Sequence, residues 1–172
     1  DAVNFTHTLF HYKKKTKDWY DITYWSNILN IDIAKEKEKK INMDKISLKD
    51  GSLDTLDKLK TQGKKLFLIT NAHRITLNIK LKKFDISKYF DEMICSHELG
   101  YIKEDIQFWH ILKLKLKLDY KYSVLVEDTF DNINSAHHAG LNNFVYISGN
   151  KKFTSPLSPL IVKSFSELSS SI

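Results

Sequence analysis

From residue 64 onward, apolar runs alternate with segments whose apolar residues recur at helical spacing. That is the pattern of repeated strand-helix units and a parallel sheet. Residues 65–70, with Leu66, Phe67, Leu68 and Ile69 in succession, predict a buried strand. Ile75 and Ile79, widened by Leu77 and Leu81 and ended by Lys82-Lys83, predict a helix. A turn region is expected at 84–89 and a second short strand at 92–96. Residues 104–117 fit two templates, because Leu112, Leu114, Leu116 and Leu118 alternate with lysines as in a strand, while Phe108, Ile111, Leu112, Lys115 and Leu116 share one helical face. A helix is expected, since the strand at 123–126 needs a crossover before it. Ile133, Ala136 and Ala139 then predict a helix closed by Gly140 in the C-cap place, and residues 143–147 the next strand. Beyond these, 148–152 is expected to be a loop, Pro156 and Pro159 break regular structure, 160–162 adds an edge strand, and 169–172 frays.

The first fifty residues differ in kind. Trp19, Tyr20, Ile22, Tyr24, Trp25, Ile28 and Leu29 predict one or two helices with a strongly apolar face, and residues 34–40 a charged helix or linker. The expected division is a helical layer with its linker at 1–50 and an α/β part at 51–172.

A chain of 172 residues with 42% hydrophobic residues, five glycines and two prolines can bury a substantial core and is neither fibrous nor disordered. No apolar run approaches the roughly 20 residues a bilayer span needs, and the first residues contain no signal-peptide core. No membrane association and a cytoplasmic location are expected. Cys95 is the single cysteine, which excludes an internal disulfide and a cysteine-based zinc site. The net charge of +6 suggests nucleic-acid binding, but Arg74 is the sole arginine among 27 basic residues. Specific base readout and bidentate phosphate clamps favour guanidinium, so the lysines predict scattered solvated faces and no specific nucleic-acid partner.

Three stretches carry chemistry. Thr70-Asn71 ends the first strand, Lys103 opens a helix in Gly100-Tyr101-Ile102-Lys103-Glu104-Asp105, and Glu127-Asp128 ends the third strand. In open parallel sheets ligands bind at the carboxyl ends of strands. There Thr70 offers a hydroxyl and Asn71 a backbone N–H to phosphate oxygens, and the Lys103 ammonium offsets phosphate charge. Glu127 and Asp128 supply the hard oxygen ligands that Mg²⁺ takes when it also meets a substrate phosphate. The conjunction points to phosphoryl transfer, although each part alone has a plainer reading as a cap, a solvated lysine or a surface pair. His7 and His11 stand one helical turn apart and are expected to be a surface pair; His137 and His138 are expected in packing and surface roles. His73 is open between substrate contact and a first-turn residue. The aromatics of 19–25 are open between stacking a purine and forming core, with core favoured.

The order of the three stretches, together with the run 18–26, Ile31-Asp32-Ile33, Thr70-Asn71-Ala72-His73 and Trp109-His110, resembles the haloacid dehalogenase (HAD) superfamily, in its bacterial GMP/IMP 5′-nucleotidase branch. The resemblance runs through essentially the whole chain. It implies a Rossmann-like parallel sheet flanked by helices, with the first fifty residues as part of an α-helical cap. It also implies an aspartyl-phosphate intermediate, Mg²⁺ held by Asp128 and Glu127, phosphate held by Thr70, Asn71 and Lys103, and support of the metal loop by Asn132. The substrate implied is a small phosphorylated molecule, a purine 5′-nucleotide first and a sugar phosphate second. One feature departs from the family: no Asp-x-Asp-Gly-Thr box is present, and Asp1 has no strand before it. The nucleophile, its strand at the centre of the sheet and the first part of the cap are therefore expected outside this chain, as roughly 40 to 50 further residues at the family's usual cap length. A catalytically inactive remnant that only binds is the rival expectation.

Overall fold

The computed structural model describes residues 2–149, 157 and 159–172. It opens with a succession of short helices, α1 (Ala2–Lys13), α2 (Lys17–Tyr20), α3 (Ile22–Leu29), α4 (Ile33–Glu38) and α5 (Lys40–Met43). Capping explains two of the boundaries: the Asp21 carboxylate accepts the Thr23 and Tyr24 N–H groups at the head of α3, and that of Asp32 accepts the Lys35 N–H at the head of α4. The aromatics pack on one another, with Phe10 and Trp25 ring centroids 4.4 Å apart and Trp19 edge-on to Trp25. Trp25 is buried and its indole N–H donates to the Trp19 carbonyl. These rings form the core of the helical layer, the plainer of the two expectations.

Gly51 then turns the chain at φ 74°, where an added Cβ would lie 2.4 Å from the Ser166 backbone nitrogen. Only glycine tolerates both conditions. The α/β part follows as α6 (Ser52–Thr61), β1 (Phe67–Thr70), α7 (Arg74–Lys83), β2 (Glu92–Cys95), α8 (Ile106–Leu116), β3 (Leu125–Glu127), α9 (Phe130–His138), β4 (Phe144–Ile147), β5 (Leu160–Val162) and α10 (Phe165–Ser171). Every strand pairing is parallel. β1 pairs with β2 with Thr70 opposite Cys95, β3 with β4 with Glu127 opposite Tyr146, and β4 with β5. The sheet is divided: β1-β2 and β3-β4-β5 form separate ladders, and β1 is not hydrogen-bonded to β3. Val126 on β3 is 38% exposed, unusual for parallel strands, which are normally covered on both faces. The division falls where the family's central strand is expected.

α8 holds the two ladders together. Its fully buried Phe108, Trp109 and Leu112 share one core with Ile94 of β2, Ile133 and Ala136 of α9, and Phe144 and Tyr146 of β4. This also decides the ambiguous leucine run, because Leu112 is 1% exposed and Leu114 77%. Gly140, at φ 94°, ends α9 as expected, and Leu160–Val162 forms an edge strand. The expected fraying of 169–172 is corrected: α10 is helical through Ser171 and packs on α6, with Leu168 buried against Val145 and Val162 and the Ser169 carbonyl accepting the Lys58 ammonium. Its Ser164 cap and one leucine suffice where periodicity over so few residues is unreadable. Residues 150–152 of the loop expected at 148–152, and Pro156, lie outside the described residues. Among the described residues no helix is long and apolar enough to cross a membrane.

Phe108→Ala removes a fully buried ring of the core that both ladders share and is expected to cost about 3–5 kcal/mol in urea unfolding, against less than about 0.5 kcal/mol for Leu114→Ala. Equal effects would contradict the helical placement of the leucines.

Candidate active site

The carboxyl ends of β1 and β3 meet at one side chain. Lys103 follows the turn after β2, and its ammonium lies 2.5 Å from Glu127 Oε2 with the two side chains 12% and 6% exposed. Burial of this kind is tolerated only with a partner and further hydrogen bonds. The other Glu127 oxygen accepts the N–H groups of Asp128 and Thr129, both at 3.0 Å, so the carboxylate is held on three sides.

Lys103 is fixed through its backbone as well. Its N–H donates to Asn71 Oδ1 at 2.8 Å, and its carbonyl accepts the Trp109 indole N–H at 2.7 Å. The Asn71 amide is in turn committed at its other end, where Nδ2 donates to Glu104 Oε2 at 2.7 Å. Only one orientation of the amide satisfies a donor on one side and a carboxylate on the other. Glu104 is engaged at both oxygens, since Oε1 accepts the Tyr20 hydroxyl at 2.6 Å. Burial, and then the neighbouring Glu104, push the Tyr20 phenol well above its ordinary pKa.

The sequence-derived residues therefore separate into two kinds. Thr70, half-buried, and Asp128, exposed, have capacity to spare. The Thr70 oxygen accepts the Ala72 N–H at 3.0 Å, which leaves its proton to donate, and the Asp128 carboxylate is exposed with only a 3.5 Å approach from the Thr129 hydroxyl. Asn71 and Glu127 are committed inward: the first braces Lys103, the second neutralises it. Asn132 is 3% exposed in α9, and its Oδ1 has no partner within the described structure. It is tied to the acidic loop through its backbone, whose N–H donates to the Thr129 carbonyl at 3.2 Å.

His73 resolves toward its plainer reading. It caps α7, with Nδ1 accepting the Ile75 N–H, and its ring stacks on His97 with centroids 4.2 Å apart. Burial and the adjacent His73 hold His97 below the usual histidine pKa. Arg74 is spent on Glu98 and the Met93 carbonyl. His7 and His11 are exposed, as expected for a surface pair, and His138 is exposed beside a half-buried His137. Glu104 and Trp109 have no site role in the sequence, and Tyr20, weighed there only for purine stacking or core, enters through its hydroxyl. An acid after a lysine and a tyrosine among aromatics give no signal until the fold brings positions 84 residues apart into contact.

The donor set suits a hard cation in part. Asp128 offers a free carboxylate at the edge of a cluster of N–H groups and a lysine, as an Mg²⁺ site with open positions requires. Among the described residues no group of three or more histidines, cysteines and acids is gathered. The residues present fit one side of such a site.

These features fall within a recognised class. A profile of the haloacid dehalogenase-like hydrolases matches residues 6–146, and the chain belongs to that family. Among particular relatives it is 27% identical over 141 residues to the GMP/IMP nucleotidase YrfG of Escherichia coli K12, covering 82% of this chain and 63% of the relative. The chain thus spans less than two thirds of that protein's length. The fold matches a HAD phosphatase from Thermococcus onnurineus with a TM-score of 0.80 at 20% identity, over 94% of this chain and 74% of the other. It also matches YfnB from Bacillus subtilis, a structure bound to magnesium, with a TM-score of 0.69 at 19% identity, over 92% and 74%. At these identities the two structures speak to the fold alone.

Glu127→Ala leaves the Lys103 ammonium buried without its partner and is expected to cost about 3–5 kcal/mol in chemical denaturation, while the double change Lys103→Met with Glu127→Leu recovers much of that loss. A stability unchanged within about 0.5 kcal/mol by Glu127→Ala would show that the pair is solvated.

Proposed function

We propose that the protein containing this chain is an Mg²⁺-dependent phosphomonoester hydrolase, acting on a purine 5′-nucleotide such as GMP or IMP. The observation that carries the reading is the meeting of Asn71, at the end of β1, with Lys103, and of Lys103 with Glu127, at the end of β3, which sets Thr70 and Asp128 beside them as chain neighbours. The choice of nucleotide over sugar phosphate rests on the 27% identical nucleotidase.

In this reading the phosphoryl group is bound by the Thr70 hydroxyl and the Asn71 backbone N–H. The Lys103 ammonium offsets the charge that gathers on the transferring oxygens, held in place by Glu127 so that it need not reorganise as the charge develops. Asp128, with Glu127 behind it, would hold Mg²⁺, which supplies charge neutralisation and orientation of the phosphate. The attacking carboxylate belongs on a strand between β1 and β3, the place where the two ladders are not joined. Attack there breaks the bond from phosphorus to the ester oxygen, releases the nucleoside, whose oxygen takes up a proton, and forms an aspartyl-phosphate; water then attacks phosphorus, releasing inorganic phosphate and restoring the carboxylate. Residues 1–50 are assigned to a helical cap with its linker and 51–172 to the catalytic core. Asn132 is assigned a supporting role behind the acidic loop, and a cytoplasmic location accompanies the nucleotide substrate.

The test is phosphate release by the protein expressed from its complete reading frame, with Mg²⁺ and with GMP, IMP or sugar phosphates. Release from GMP and IMP in preference to sugar phosphates is expected, with turnover reduced at least about 100-fold by Lys103→Ala or Asp128→Asn at unchanged secondary structure. Wild-type turnover in either variant would overturn the assigned roles, and a preference for sugar phosphates would move the protein to the second substrate class.

A further inference from the structure

Both ends of the Asn71 amide and both oxygens of Glu104 are used, so the polar chain runs unbroken from Lys103 to Tyr20. Tyr20 lies in the stretch between α1 and α3, and two neighbours in that stretch reach the same loops. The Lys15 ammonium is paired with the Asp131 carboxylate, and Asp21 Oδ1 is 4.0 Å from His73 Nε2. His73 is two positions after Asn71, Glu104 is next to Lys103, and Asp131 is three after Asp128. One short segment of the helical layer thereby touches each of the three loops that converge on the candidate site.

We propose that Glu104, anchored by the Tyr20 hydroxyl, is a positioning residue for Lys103, acting through the Asn71 amide; this rests on the phosphate-binding role assigned to Lys103. The mechanism is geometric. With Glu104 in place, Asn71 Nδ2 has a carboxylate to meet, so Oδ1 must face the Lys103 N–H. Without Glu104 the amide loses the carboxylate that fixes which end faces which way and keeps only the Tyr20 hydroxyl beside it, so the bond from the Lys103 N–H to Oδ1 is no longer enforced, while the Lys103 carbonyl still accepts the Trp109 indole N–H. An ammonium on a flexible four-carbon stem then loses the fixed base from which it reaches its target. Glu104 is engaged at both oxygens before any ligand arrives, by the Tyr20 hydroxyl and the Asn71 amide.

The test is a double-mutant cycle read by calorimetric binding of inorganic phosphate to the protein expressed from its complete reading frame. Glu104→Ala is expected to weaken phosphate binding about ten-fold when Lys103 is present and to have no further effect in the Lys103→Ala background. Tyr20→Phe, which deletes one hydroxyl, is expected to act in the same direction by about three-fold, again only when Lys103 is present. Glu104→Gln is expected to rescue, because its carbonyl still meets Asn71 and its amide can donate to the tyrosine oxygen. Equal losses with and without Lys103 would overturn the positioning role and leave Glu104 as a structural tie. Unchanged phosphate binding in Lys103→Ala alone would overturn the lysine's role, and this inference with it. Should Glu104→Ala fail to fold, the Tyr20→Phe cycle decides the same question.

Discussion

The two ladders of the sheet share no backbone hydrogen bond, so everything that keeps them together has to be made by side chains. α8 does this with apolar surface. Phe108, Trp109 and Leu112 enter a core to which β2, β4 and α9 all contribute, and no single ladder provides that core alone. The same helix ties the polar level above to the apolar level below, since the indole of the buried Trp109 holds the carbonyl of Lys103. Packing and chemistry meet in one residue.

Above that core, the site is built from groups that hold one another before any ligand arrives. Glu127 is saturated by one ammonium and two amides, Asn71 by an N–H and a carboxylate. A buried charge arranged in this way has little freedom to relax, which is the condition under which fixed dipoles and charges favour a transition state over water. Thr70 and Asp128 are the side chains with the most capacity left for a ligand, beside that fixed Lys103 ammonium.

The fold was legible because parallel strands buried in a sheet and amphipathic helices leave different periods in the sequence. The strands at 67–70, 92–95, 125–127 and 144–147 were all visible as apolar runs. The leucine run at 112–118 is not decidable by period; the need for a crossover before β3 points to a helix, and the burial of Leu112 with exposure of Leu114 bears it out. The three site motifs were legible because each is confined to a few consecutive residues at a strand end. What joins them was not. The inward commitments of Asn71 and Glu127 and the bond from Tyr20 to Glu104 depend on side-chain directions across 24 to 84 positions of sequence, where no local pattern reaches. C-terminal docking was hidden for a different reason, because it is made by Leu168 and Phe165 together with carbonyls that accept from Thr55, Lys58 and Gln62, contacts that a serine-rich tail does not announce.

The single arginine has a consequence for how a phosphate would be oriented. Arg74 has its guanidinium turned to Glu98 and to the Met93 carbonyl, so the planar fork that elsewhere grips two phosphate oxygens at once is absorbed in scaffolding. Lys103 attracts equally from any azimuth. A site furnished in this way draws a tetrahedral anion in by charge, yet its rotational setting must come from directional donors, the Thr70 hydroxyl and the amides at the strand end. Attraction and alignment are thus divided between different atoms.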